Sequence, residues 1–283
     1  MLLSEFIREG CGALAALYPA AEAHSLVLML CEALLGTRSY THIVEPAFAV
    51  DPLREGPLRE ALSRLEAGEP VQYVLGKALF CSREFRVTPD VLIPRGETEI
   101  LALKAVEWAR EMPSPRVLDL CTGSGNIAWT VALEVPAARV VGVDLSAAAL
   151  EVARSQDFPL PPGVAAPRFV QADVLDGAVV DGPFDLILSN PPYVMEREKA
   201  LMRPNVLRHE PAGALFVPDD DPLLFYRAIA RWAQRLLAPG GRGIVEINEQ
   251  LGPETAEAFR SEGFREVSIL KDYFDKDRFV LFR

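Results

Sequence analysis

One stretch constrains the fold more than any other: Val117-Leu118-Asp119-Leu120-Cys121-Thr122-Gly123-Ser124-Gly125-Asn126-Ile127-Ala128, an apolar run that breaks into small residues and reopens in a helical pattern. Small residues between a strand and a helix set bare backbone N–H groups and a helix N-terminus beside whatever the loop faces. Further on, Val141-Gly142-Val143-Asp144 ends a second β-branched run in a carboxylate. An acid there can accept hydrogen bonds from both hydroxyls of a ribose. A tight turn without a ligand would explain the glycines but not the acid at the end of the next strand.

The rest of the chain beyond Glu97 repeats this rhythm, with apolar β-branched runs at 116–120, 140–143, 168–170, 184–188 and 243–247 separated by helical segments. Such runs imply a mostly parallel, Rossmann-like sheet covered on both faces. The last stretch predicts two strands, 264–270 and 278–282, joined by the polar segment 271–276, so the α/β fold closes with a C-terminal antiparallel hairpin. Residues 1–75 are different and predict a small helical domain. Ser4 caps a first helix carrying Phe6, Ile7, Leu14 and Leu17; a second runs from Leu26 to Leu35 and stops at Gly36; a third covers 58–65. From Val71 the pattern turns to short β-type pieces, Leu79-Phe80 and Phe85-Arg86-Val87, meeting at Ser82-Arg83. The expected domains are therefore 1–75, a linking β-hairpin at 76–95, and an α/β domain at 96–283.

Charge removes one class of function. With 29 basic and 40 acidic residues the net charge is −11, which repels a phosphate backbone, so direct nucleic-acid binding is not expected. The helical segment carries five arginines, no lysine and ten carboxylates, a net of −5 that reads as a solvated surface or a docking face for a basic protein. Cys11, Cys31, Cys81 and Cys121 form no Cys-x-x-Cys pair, and His24, His42 and His209 share no metal-ligand spacing, so no metal is expected. No run approaches the ~18 uncharged residues of a membrane span, and no heptad pattern calls for a second copy. A cytoplasmic monomer is the expectation.

The glycine loop leaves the cofactor open. Gly123-x-Gly125-x-x-Ala128 followed by Asp144 also satisfies a dinucleotide fingerprint. Against that reading, Asp119 in the strand before the loop would repel a pyrophosphate and favour a cation. S-adenosylmethionine carries a sulfonium and an amine and has no phosphate. A third strand end supplies Asp173 and Val174, the first able to accept from an adenine amino group or merely to cap its loop, the second able to cover a ring.

Ser189-Asn190-Pro191-Pro192-Tyr193 follows the run at 184–188. Two prolines fix φ and remove two donors, leaving carbonyls in set directions. The combination suits a planar –NH₂ group: the Asn190 side-chain oxygen accepts one hydrogen, the Pro191 carbonyl the other, and Tyr193 packs on the flat face. That chemistry is methylation of an amide or amino nitrogen, on a protein glutamine or a DNA adenine.

Taken together, Gln72-Tyr73-Val74-Leu75-Gly76, Leu92-Ile93-Pro94-Arg95-Gly96-Glu97-Thr98-Glu99, the 119–128 loop, Gly142-Val143-Asp144, Asn190-Pro191-Pro192-Tyr193 and Glu210-Pro211 with Ala214-Leu215 resemble the release-factor glutamine N5-methyltransferases of the HemK/PrmC family. The resemblance implies a class I S-adenosylmethionine-dependent methyltransferase domain, a helical domain that helps bind a peptide chain release factor, methylation of the glutamine in a Gly-Gly-Gln motif, and S-adenosylhomocysteine as product. By matching position it implies that Cys121, Thr122, Gly123, Ser124 and Gly125 hold the methionine moiety, Asp144 the ribose, and Asp173 and Val174 the adenine. Asn190, Pro191, Pro192 and Tyr193 would hold the glutamine, with Asn190, Pro191 and Tyr193 catalytic and Asn190 also against the cofactor. Arg95, Glu97 and Glu99 would shape the entrance, unless the two acids merely charge a first helical turn, and Glu210 would position substrate or brace a loop. Three positions depart from the family: Gly96 stands for proline, Cys121 for glycine, and Val174 for a residue often aromatic.

Overall fold

The computed structural model describes residues 1–177 and 180–283. The chain divides into two compact units, Met1–Lys77 with Arg203–His209, and Ala78–Met202 with Glu210–Arg283.

In the first unit, α1 (Leu3–Leu14), α2 (Ala20–Leu35) and α4 (Pro52–Glu66) surround a core of Phe6, Leu14, Val27, Leu30, Leu58 and Leu65, with the short α3 (Thr41–Val44) between them and α5 (Val71–Leu75) at the end. Ser4 does not cap α1. The helix begins one residue earlier, and the backbone N–H of its first flanking residue, Leu2, donates to Glu5 Oε2 at 2.8 Å, a carboxylate reaching back over the first turn. Likewise α4 starts well before residue 58, because Asp51 Oδ1 accepts from the Leu53 N–H at 2.9 Å and Pro52 suits the first helical position. Val71 to Leu75 is helical instead of β-type: the five residues fit either period, and the flanking Pro70 and the left-handed Gly76 (φ 70°) decide for a helix.

The second unit opens with a hairpin, β1 (Lys77–Phe80) and β2 (Arg83–Arg86). Its turn is Cys81-Ser82, one residue before the expected position, and both have positive φ (45° and 61°), as a tight two-residue hairpin loop requires. After α6 (Thr98–Arg110) come β3 (Arg116–Leu120), α7 (Asn126–Glu134), β4 (Arg139–Asp144), α8 (Ala147–Arg154), β5 (Arg168–Gln171) and β6 (Phe184–Ser189). A short pair, β7 (Val194–Met195) and β8 (Phe216–Val217), brackets a 3₁₀ turn, the one-and-a-half-turn α9 (Pro204–His209) that belongs to the first unit, and a second 3₁₀ turn. The chain ends with α10 (Leu224–Leu236), β9 (Leu237–Glu246), α11 (Gly252–Ser261), β10 (Val267–Lys271) and β11 (Asp277–Phe282).

Seven strands form one sheet in the order β10-β11-β9-β6-β3-β4-β5, parallel throughout except for β11, which runs against both neighbours. This is the class I methyltransferase arrangement, with its terminal antiparallel hairpin. One face carries Phe85, Leu101, Trp129 and Leu186, the other Tyr226, Trp232, Phe259 and Val245, all buried. The chain lays down β3, β4 and β5 in one direction and then returns to place β6 on the other side of β3. At such a switch point the loops leaving adjacent strands part, and a crevice opens at their carboxyl ends. No helix among the described residues is long and apolar enough to cross a membrane.

Candidate active site

The crevice is a cavity of about 330 Å³, within the range of small-molecule sites. Cys121, Thr122, Gly123 and Ser124 after β3, Asp144 after β4, Asp173 and Val174 after β5, and Asn190 and Pro192 after β6 all line it. Of the expected residues, Gly125, Pro191 and Tyr193 do not, nor do Glu97 and Glu99 of the expected entrance.

The β3 loop is held from beneath. Thr122 donates its backbone N–H to the Val143 carbonyl at 2.9 Å and its hydroxyl to Asp119 Oδ2 at 2.6 Å. Gly123 (φ 53°) has no neighbouring atom within 4 Å of where a Cβ would stand, so its face of the loop is open to the cavity. Gly125 serves packing: it caps α7 at φ 77°, and a Cβ there would stand 3.0 Å from the Phe169 ring. Cys121 takes a left-handed φ of 59°, and burial pushes its thiol up, so it lines the cavity as a neutral group. Asp119 is wholly buried and does not line the cavity. Burial raises its carboxyl to about 7 against the pull of the Thr122 hydroxyl and of the Ala128 backbone N–H, although no donor among the described residues makes a well-formed hydrogen bond to Oδ1. From behind the cavity wall it braces the loop through Thr122.

Asp144 faces the cavity with both oxygens engaged on one side, Oδ2 by the Gly123 N–H at 2.8 Å and Oδ1 by the Ser146 N–H at 3.0 Å. Burial raises its pKa while these backbone donors lower it. Each oxygen keeps a lone pair for a ligand hydroxyl. Asp173 Oδ1 accepts from the Leu175 N–H at 2.8 Å, so the loop-capping role is real, and its second oxygen is left over.

Asn190 stands at the end of β6, where its Nδ2 donates to Thr98 Oγ1 at 3.1 Å. Thr98 donates to Glu246 Oε2 at 2.6 Å, and Tyr193 donates its hydroxyl to Glu246 Oε1 at 2.9 Å. Tyr193 thus reaches a buried carboxylate and packs among the apolar residues under the sheet. Arg95 lines the cavity and donates through Nη2 to both oxygens of the buried Glu210 (2.7 and 2.9 Å), which also receives the Ile93 N–H. Glu99 accepts from the Cys81 N–H at 2.8 Å and braces the hairpin turn. Thr98, which also lines the cavity, lies in the 92–99 stretch quoted for the resemblance but was given no role, and Glu246 and the cavity residue Phe225 lie in no quoted motif, since their relation to Asn190 exists only in three dimensions.

The sequence matches the methyltransferase small domain over residues 98–213 and the PrmC N-terminal domain over 5–76. It is 40% identical over 266 residues to the release factor glutamine methyltransferase of Bacteroides thetaiotaomicron, covering 93% of this chain and 94% of that one. The chain belongs to the release factor glutamine methyltransferase family. The enzyme of that name from Flavobacterium psychrophilum is 33% identical over 287 residues, 99% of this chain and 98% of its own, and that of Bordetella pertussis 39% over 244 residues, 86% and 88%.

As a member of this family the chain is a methyltransferase whose cofactor is S-adenosylmethionine. The cavity suits that cofactor. It offers an open glycine cradle at Gly123, carboxylates at two successive strand ends, and apolar cover from Val174 and Phe225.

Proposed function

We propose that this chain transfers the methyl group of S-adenosylmethionine to the side-chain amide nitrogen, N5, of the glutamine in the Gly-Gly-Gln motif of a peptide chain release factor. The observation that carries this reading is Asn190: it borders the same cavity as Gly123 and Asp144, its Nδ2 is tied to Thr98, and no donor among the described residues reaches its Oδ1.

When bound, the cofactor supplies an electrophilic methyl carbon on a sulfonium. Cys121, Thr122, Gly123 and Ser124 hold its methionine end, Asp144 the ribose, and Asp173 and Val174 the adenine, with Gly125 fixing the loop from behind. An amide nitrogen is a weak nucleophile because its lone pair is delocalised into the carbonyl. Asn190 Oδ1 accepts one amide hydrogen, and the Pro191 carbonyl, although Pro191 does not line the cavity itself, would take the other once the glutamine reaches past Asn190, which raises electron density on nitrogen and fixes the direction of its lone pair. Pro192 shapes the wall, and Tyr193 supports it through Glu246. No strong base is needed before transfer, because the nitrogen loses a proton only after becoming cationic. The helical unit, which leaves Tyr40, Ile43, Val44 and Leu53 exposed, is assigned to docking the release factor. The enzyme acts as a cytoplasmic monomer on a protein partner and does not contact nucleic acid.

Incubation with methyl-labelled S-adenosylmethionine and a bacterial release factor, beside the same factor with its Gly-Gly-Gln glutamine replaced, tests the reading. Label enters only the intact factor; label in neither sends the search to glutamines of ribosomal proteins. Asn190→Ala lowers the rate by at least about tenfold with cofactor affinity nearly intact, since these bonds strengthen during transfer.

A further inference from the structure

A side-chain amide has an accepting end and a donating end of almost the same shape, so an asparagine that must accept a hydrogen bond has to be kept from turning over. Nothing in the sequence around Asn190 does this, and its neighbour Ser189 is occupied elsewhere, donating to the Leu120 carbonyl at 2.8 Å.

The orientation is fixed by a count of protons. With Glu246 ionised, the form that the Thr98 and Tyr193 hydroxyls and the Arg278 charge favour against the burial that raises its pKa, the one Thr98 proton points at Oε2, 2.6 Å away. Thr98 therefore presents only lone pairs to Asn190, and only the –NH₂ end can face them, as it does at 3.1 Å. A turned-over amide would set its oxygen against those lone pairs and its hydrogens toward the cavity. The other oxygen of Glu246 receives the Tyr193 hydroxyl at 2.9 Å, and burial holds that phenol in its neutral, donating form. Thr98 and Glu246 are each 1% exposed, so water does not compete for these bonds.

We infer that Thr98, Glu246 and Tyr193 form a one-way hydrogen-bond relay that locks Asn190 with its oxygen toward the target amide, making Thr98 and Glu246 positioning residues for methyl transfer. The inference rests on the amide-methylation reading above. It also gives the tyrosine of the Asn-Pro-Pro-Tyr sequence a task for its hydroxyl in addition to any for its ring.

Two measurements on the full chain test it. In the first, methylation of a release factor is compared for Thr98→Val, Thr98→Ser and Tyr193→Phe. Thr98→Val, of the same shape but with no hydroxyl, lowers kcat by about 10- to 100-fold with KM for the release factor within about threefold and cofactor affinity by calorimetry unchanged; Thr98→Ser restores kcat to within about threefold; Tyr193→Phe falls between them. A wild-type kcat for Thr98→Val, or equal loss for the serine and valine variants, overturns the relay. In the second, the chain is labelled with ¹⁵N at asparagine side chains, of which it has four, and the Asn190 pair is assigned by its absence in Asn190→Ala. The Asn190 Nδ2 signals shift in Thr98→Val and keep their place in Thr98→Ser. Signals indifferent to the hydroxyl overturn the inference whatever the activity. Failure of the wild-type protein to methylate the release factor would overturn the proposed substrate instead, and the spectrum would still judge the relay.

Discussion

The two units differ in what they bury. Among the described residues, the helical unit hides one polar side chain, Thr41, whereas the methyltransferase unit hides thirteen, Asp119, Thr122, Ser124, Ser189, Glu246 and Asn248 among them. A buried polar group costs stability unless it is hydrogen-bonded, and a segment built only for stability avoids it. In the larger unit several of these groups, Thr98, Asp119, Thr122, Ser189 and Glu246 among them, lie around the carboxyl ends of parallel strands and make directed hydrogen bonds. They hold loops and amides in one orientation, which an apolar core cannot do. The helical unit has no such demand, and its interior is a plain apolar contact of three helices.

Breaking the apolar unit gives the largest expected effect. Phe6 is fully buried in its core, and Phe6→Ala should lower stability by about 3–5 kcal/mol, read from chemical denaturation. If the units are as separate in energy as in composition, calorimetry shows unchanged cofactor affinity in the same variant at a temperature where the larger unit is folded. Affinity that falls in step with helical content would show that the two cores share one cooperative transition.

The same contrast decides what was legible in the sequence. The strands 116–120, 140–143 and 184–188 were legible because a strand buried on both faces must be continuously apolar, and the glycine loop because few sequences join a strand to a helix that way. Helix ends were less so: at Leu2 the cap is Glu5, three residues along, and at Val71 the flanking Pro70 and Gly76 outweigh an ambiguous pattern. The acids and amides at strand ends could be named by motif. The roles of their supports could not, because Thr98 lies 92 residues from Asn190 and 148 from Glu246, and only the placement of β9 beside β6, with α6 packed on both, brings them together.

Asp119 sharpens the comparison with pH. Its folded pKa, about 7, lies above its ordinary value of 3.8, so between these the folded chain holds a proton that the unfolded chain has released. Stability contributed by this group is therefore full below about pH 4 and lost as pH rises through 7, a deficit of at most about 4 kcal/mol. Asp119→Asn keeps an acceptor for Thr122 and removes the charge. The variant should melt above the wild-type protein at pH 8, by a smaller margin at pH 5, and close to it at pH 4. A gap independent of pH would mean that Asp119 stays ionised and that a further donor reaches its free oxygen.

Asp144 gives the smallest effect and the finest distinction, because it is at once a brace and a candidate ligand for ribose. Asp144→Ala should weaken cofactor binding by about 1–3 kcal/mol, the worth of a charge-assisted hydrogen bond. The loss alone does not tell the roles apart, since the Gly123 and Ser146 N–H groups also lose their acceptor and the loop can shift. Titrating wild type and variant with S-adenosylhomocysteine and with its 2′-deoxy analogue does. If Asp144 holds the ribose, removing the hydroxyl from the ligand weakens the wild-type protein and leaves the variant almost unchanged, so the two losses do not add. If the carboxylate acts only on the loop, the losses add in full, and recognition of the ribose passes to another group lining the cavity.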